Sequence, residues 1–311
     1  MKINRAQGCL LGQLAGDSLG ALVEFHSADD ISSIYPNGVR ELVDGGVWNT
    51  IAGQPTDDSE MALLLARMLV KNGRYDPVSA MNEYRYWIST DPFDCGMTIR
   101  SSLSGHPNPD SQANGAMMRI SPLGIFGANY ELNVVAEWAQ LDASLTHPNS
   151  VCKHANALYS MAIANAVESG TYPKQLYKNV KRWASEMNAE PSLLAVIDRA
   201  PVAPPENYTH LSGWVLIAFH NALYQLLHAM NLEKGVIDTV MRGGDTDTNA
   251  AICGALLGSV YGYDAIPEQW ANALLNCRPQ KEDPRVMHPR PECFWPVDAI
   301  ELAERLVSSR N

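Results

Sequence analysis

The chain has 311 residues, 46% hydrophobic and 18% charged, a composition that buries a large core and excludes a disordered polymer. A formal charge of −11 argues against a nucleic-acid groove held by bulk positive charge, although a bound dication can still invert the field around one anionic small ligand. No run reaches the roughly 18 apolar residues of a membrane helix, and the apolar part of the N-terminal stretch is too short and glycine-interrupted for a signal peptide. Six scattered cysteines form no Cys-x-x-Cys pair and read as reduced thiols, so a cytoplasmic protein without membrane or nucleic-acid partners is expected.

In chain order, Asn4–Leu22 carries Gly8, Gly12, Gly16 and Gly20 at four-residue intervals, one smooth stripe on a helix where a neighbouring backbone can come close. Each glycine weakens the helix by roughly 1 kcal/mol relative to alanine, so close packing must offset it. Glu24 follows within the apolar stretch Ala21–Phe25. Residues 27–55, rich in glycine and bounded by Pro55, read as a long loop of the kind that covers sites. Thr56-Asp57-Asp58-Ser59-Glu60 then opens a helix over Met61–Val70. Asp57 and Glu60 have capping-box spacing, but two adjacent acids plus a threonine exceed what a cap requires.

Helical spacing continues over Pro77–Ile88, while 91–113 reads as a loop; within it Phe93–Leu103 carries Asp94 beside Gly96, a pairing ordinarily found in turns. Asn114-Gly115 is a turn signal that also frees backbone N–H groups to cradle phosphate or ribose oxygens. A helix over Glu131–Leu145 ends at His147-Pro148, where a lone histidine is ordinarily a capped or surface residue. Further helices are predicted at Val151–Val167, Pro173–Met187, Leu211–Met230, Leu232–Arg242, Pro267–Asn276 and Val297–Val307, with a proline-rich loop over Arg278–Pro296.

Between the fourth and fifth of these, Gly243–Ala251 reads Gly-Gly-Asp-Thr-Asp-Thr-Asn-Ala-Ala and leads into the buried-looking helix Ala250–Gly258. Asp245, Asp247, Thr246 and Thr248 present hard oxygens suited to Mg²⁺, Mn²⁺ or Ca²⁺, while also being ordinary helix starters. An EF-hand fails here, because its glycine and glutamate positions are Ala250 and Leu256. A phosphotransferase Asp-x-Asp loop wants a preceding strand, and Leu232–Arg242 is helical. Strand alternation is absent throughout, and one compact all-α domain over 1–311 is expected. If the junctions at Glu24, Thr56–Asp58 and Asp245–Thr248 meet, five carboxylates share a small volume and need cations. Two divalent ions roughly 3.5–4 Å apart would serve.

Gly16-Asp17-Ser18-Leu19-Gly20 with Glu24, Thr56-Asp57-Asp58-Ser59-Glu60-Met61, Asn114–Gly124, Ser144-Leu145-Thr146-His147 and Gly243–Asn249, in this order, resemble the ADP-ribosylglycohydrolase family. The resemblance implies an orthogonal helical bundle around two divalent cations, Mg²⁺ or Mn²⁺, held by Thr56, Asp57, Asp58, Asp245, Asp247 and Thr248. It implies Glu24 as the catalytic or gating glutamate, Asp94 facing a substrate guanidinium, and Asn114, Gly115 and His147 in the ADP-ribose site. The expected activity is hydrolysis of ADP-ribosyl-arginine on a modified protein substrate, with ADP-ribose as product and a monomeric enzyme. Serine-linked or O-acetyl ADP-ribose as substrate, or a non-catalytic ADP-ribose binder, are the alternatives.

Overall fold

The computed structural model describes residues 1–308, which form fifteen α-helices and no sheet; only three isolated β-bridges occur among the described residues. In chain order the helices are α1 (Lys2–Gly20), α2 (Ala28–Ile34), α3 (Asp57–Asn72), α4 (Pro77–Ser89), α5 (Met97–Leu103), α6 (Ser121–Gly127), α7 (Leu132–Ser144) and α8 (Ser150–Ser169). They continue with α9 (Pro173–Glu186), α10 (Pro191–Arg199), α11 (Val215–His228), α12 (Leu232–Val240), α13 (Thr246–Tyr261), α14 (Glu268–Asn276) and α15 (Ala299–Ser308). Their ends follow local chemistry. α4 begins with Pro77 behind Asp76, whose side chain accepts the Ser79 N–H at 2.8 Å, and α3 stops at Gly73 with φ +65°.

At the centre, α1 and α13 lie against each other antiparallel and are buried along most of their length. The glycine stripe is the reason they can. A Cβ built on Gly12 would lie 2.2 Å from the Gly254 carbonyl oxygen, one on Gly16 2.1 Å from that of Ala250, and one on Gly20 2.4 Å from Asp247 Cα. Backbones in such contact leave no space for any side chain, and the dispersion gained offsets the propensity lost. α11 and α12 pack on one side of α13, and α15, α8 and α6 pack on α1.

Several boundaries differ from expectation. The predicted loop 27–55 contains α2, closed by a capping box in which Ser27 Oγ accepts the Asp30 N–H and the Asp30 carboxylate accepts the Ser27 N–H. Only Ile31 of that helix is buried, so no apolar period announces it. α10 is also additional. α5 lies inside 91–113, a stretch expected to be a loop, and α11 starts at Val215 rather than Leu211, because Leu211 (φ +55°) and Gly213 (φ +83°) shape a left-handed turn before it. The capping box expected from Asp57 and Glu60 does not form: Glu60 is turned away to take Arg290 at 2.8 Å through both oxygens and Trp87 Nε1 at 2.8 Å.

Candidate active site

The α1–α13 pairing carries the end of one helix to the start of the other. Thr246 Oγ1 donates to the Gly20 carbonyl at 2.7 Å, and the loops beyond are stitched by Phe25 N–H to Gly244 O and Gly244 N–H to His26 O. α3 is joined to the same point by Asp17. This fully buried carboxylate accepts from Thr56 N (3.2 and 3.3 Å), Thr56 Oγ1 (2.8 Å) and Ser59 N (3.2 Å), so it caps α3 from the neighbouring helix. With the cap supplied from outside, Asp57 and Asp58 keep their oxygens for other partners. The start of α13 behaves alike: Asp245 occupies the N-cap position without capping, and its Oδ2 accepts from Asn114 Nδ2 at 2.7 Å.

These junctions line one cavity of about 380 Å³. Its walls include Glu24, Asp57, Asp94, Asp245, Asp247 and Thr248 together with Asn114, Gly115 and His147. Thr56 and Asp58 are fully buried beside this wall, Thr56 Oγ1 lying 3.1 Å from Asp58 Oδ2. Among the described residues, no lysine or arginine lines the cavity. Glu24, Asp94 and Asp247 each offer a carboxylate oxygen within 4.8 Å of the others, so two acids expected in catalysis stand beside one expected as a metal ligand. A larger groove of about 670 Å³, lined by Leu132, Lys153 and Trp183 among others, gathers no comparable cluster.

Crowding and burial raise Asp94, Glu24, Asp57, Asp58 and Asp247. Burial, followed by the charges of Asp57 and Glu24, pushes Asp94 up to about 10. Glu24 is pushed up to about 8 by burial, against the Trp48 N–H bond that favours its ionised form and with Asp245 and Asp57 adding repulsion. Burial raises Asp57 to about 6 and lifts Asp58 and Asp247 well above the usual carboxylate range. Buried Asp58 Oδ1 has no hydrogen-bond partner among the described residues. An all-oxygen donor set, mutually repelling carboxylates and an orphaned lone pair fit hard divalent cations.

His147, also in the lining, is fully buried, and its Nε2 has no partner among the described residues. Arg119, itself buried against Asp142, donates to Thr146 Oγ1 at 2.9 Å, which leaves the Thr146 hydroxyl hydrogen for His147 Nδ1 at 2.8 Å. That arrangement puts the imidazole proton on Nε2, a donor without a partner among the described residues. Burial and then the Arg119 charge pull His147 down to about 3, so it is neutral. The structure adds residues that sequence reasoning did not single out for the site: Asp17, Phe25, Met97, Ser212, Gly213, and Trp48, whose Nε1 donates to Glu24 Oε2 at 2.7 Å. For Asp17 the signal was its place one residue after Gly16 on the stripe; for Trp48, a tryptophan behind a glycine pair in a polar loop.

The profile of the ADP-ribosylglycohydrolase family matches residues 1–310. Among curated proteins, the chain is 28% identical to ADP-ribosyl-[dinitrogen reductase] glycohydrolase of Rhodospirillum rubrum, over 87% of this chain and 90% of that one. It is 25% identical to the ADP-ribosylarginine hydrolase Tri1 of Pseudomonas putida (strain GB-1), covering 88% of this chain and 74% of that one. A solved structure titled ADP-ribosylglycohydrolase-related protein complex superposes with a TM-score of 0.80 at 26% identity, over 99% of this chain and 98% of that one. With the match running from end to end and the acids of three helix junctions converging on one cavity, the chain belongs to the ADP-ribosylglycohydrolase family.

Proposed function

We propose that this protein is a cytoplasmic, monomeric, single-domain hydrolase that removes ADP-ribose from arginine side chains of modified proteins, using two divalent cations, Mg²⁺ or Mn²⁺. The observation that carries the reading is the cavity itself: among the described residues it has five carboxylates and no lysine or arginine, next to Asn114, Gly115 and the unpartnered Nε2 of His147. In this reading Thr56, Asp57, Asp58, Asp245, Asp247 and Thr248 hold the ions. Bound there, divalent cations supply neutralisation of the acids and a grip on the vicinal hydroxyls of a ribose.

The chain's own groups handle the rest. Asn114, the Gly115 backbone and His147 bind the ADP-ribose moiety. Asp94, raised by burial and by its acidic neighbours, gains most from a cation placed beside it, which a substituted guanidinium provides. Glu24 orients the attacking water and accepts its proton while oxygen bonds to ribose C1″ and the C1″–N bond breaks. The departing guanidine takes both bonding electrons, leaves neutral, and recovers a proton through Glu24, so water is added overall.

The test is release of ADP-ribose from an ADP-ribosyl-arginine peptide, measured by chromatography with and without Mg²⁺ or Mn²⁺. Release should require the ion and collapse in Asp245→Ala; undiminished release in that variant would sink the two-cation reading. A panel adding serine-linked and O-acetyl ADP-ribose decides the linkage. Asp94 favours arginine, so Asp94→Ala should impair the arginine substrate most.

A further inference from the structure

Three long connections of the chain converge on a single side chain at the edge of the site. Residues 45–50 close a tight loop through reciprocal backbone bonds between Gly45 and Thr50, at 2.8 and 3.0 Å. That loop sits directly on the end of α1. Val47 N–H donates to Ala21 O, and a Cβ on Gly46 would lie 2.6 Å from Leu22 Cα. Trp48 projects from it, and its Nε1 donates to Glu24 Oε2 at 2.7 Å.

Trp48 is itself held. His288 Nε2 donates to the Trp48 carbonyl at 2.8 Å, which requires the proton on that nitrogen, and the His288 backbone carbonyl accepts from Gln54 Nε2 at 2.7 Å. The His288 ring stacks on Phe93 with centroids 4.5 Å apart at 25°, while Trp48 meets Phe93 at 5.9 Å and 58°. Phe93 immediately precedes Asp94. One aromatic group of three residues thus supports both acids that the proposed function places at the scissile bond.

We propose that Trp48, locked by Phe93 and His288, is a positioning residue that fixes one carboxylate oxygen of Glu24 and leaves the other to face the reaction. The inference rests on the proposed role of Glu24 only for its kinetic consequence; the clamp itself is a statement about this chain. An indole N–H bond to a carboxyl oxygen is directional, and it removes one oxygen of Glu24 from competition for cations or water. It also sets the side-chain torsions of a residue that lies beyond the end of α1 and has no helix to hold it. Loss of such support costs an enzyme turnover rather than binding, because the reacting geometry loosens while the ADP-ribose contacts remain.

Two measurements test this. In ¹⁵N-labelled full-length protein, the indole N–H resonance that disappears in Trp48→Phe is that of Trp48, and it should lie downfield and move upfield in Glu24→Gln. In kinetics with the ADP-ribosyl-arginine peptide, Trp48→Phe should lower kcat by roughly 10–100-fold with KM within about twofold of wild type. An indole resonance indifferent to Glu24→Gln overturns the clamp, and so does wild-type kcat in Trp48→Phe. Should Trp48→Phe fail to fold, the resonance is assigned by triple-resonance spectroscopy and His288→Asn, which weakens the stack, replaces it in kinetics with the same expectation. A protein that hydrolyses no ADP-ribosyl substrate, yet shows the shift in Glu24→Gln, retains the clamp and loses the proposed function.

Discussion

Asp17 grips Thr56 by both its backbone amide and its hydroxyl, from a different helix. The hydroxyl has one hydrogen, and giving it to Asp17 at 2.8 Å turns the Thr56 lone pairs the other way, as a neutral oxygen ligand must be turned. Asp17→Asn keeps the shape but offers an N–H where an acceptor is needed. It is expected to weaken Mg²⁺ or Mn²⁺ binding about 10–100-fold by calorimetry. Unchanged affinity would remove Thr56 from the ligand set.

The stability of the metal-free protein should fall as pH rises. Asp57, Asp17 and Glu24 have folded-state values near 6, 7 and 8, above the ordinary 3.8 to 4.5, all chiefly through burial. A raised folded-state value means that the folded protein keeps protons the unfolded chain releases. The stability this confers is complete below about pH 4 and is lost as pH climbs through 6 to 8. In EDTA the melting temperature should therefore drop between pH 5 and 8.5, and Mn²⁺ should restore it at the alkaline end. A flat profile in EDTA would contradict proton sharing among these acids.

The α1–α13 contact should tolerate nothing larger than hydrogen. Gly16→Val places its Cβ about where a Cβ would lie 2.1 Å from Ala250 O, against rigid backbone rather than a movable side chain. A loss of at least about 3 kcal/mol in urea unfolding is expected, the upper end of overpacking effects. Gly96→Ala, where a methyl meets no atom within 4 Å, is the comparison and should unfold like wild type.

His147 should matter to binding more than to turnover. Its Nε2 donor has no protein partner, and the imidazole is neutral down to about pH 3. His147→Ala should raise KM about tenfold with kcat within a factor of two or so, the size of one buried hydrogen bond. A KM that instead tracked protonation between pH 5 and 7 would overturn the tautomer drawn from Arg119 and Thr146.

Much of this was legible in the sequence where a single helix carries its own signal. The four-residue glycine stripe announced close packing on α1, and apolar spacing located α3, α8 and α13. α2 escaped because its polar face leaves one buried residue, and periodicity needs more than one. The acids at Thr56–Asp58 were visible as an excess over capping, those at Asp245–Thr248 as hard oxygens that could equally be helix starters, and the family resemblance supplied the expectation that they meet. Spacing alone could not, since their convergence depends on contacts such as Thr246 with Gly20, 226 residues apart. Arg290 shows the same limit: nothing local in the proline-rich segment 278–296 ties it to Glu60, 230 residues earlier.

That separation has a consequence for how the protein comes into being. A ribosome delivers α1 first, with its glycine-lined face fitted to a partner that has not yet been made. Each position of the stripe meets backbone at α13 or just beyond its end. The first helix can meet α3, α6 and α8 as they emerge, but its glycine stripe waits for α13 until late in synthesis. Its docking is a late, long-range closure that is slow by topology and exposed to chaperones and proteases. The same closure joins Glu24 to Asp247, so the acidic cluster is complete only once α13 has docked. Divalent ion in the growth medium should then act as a ligand that traps the finished state and raises soluble yield.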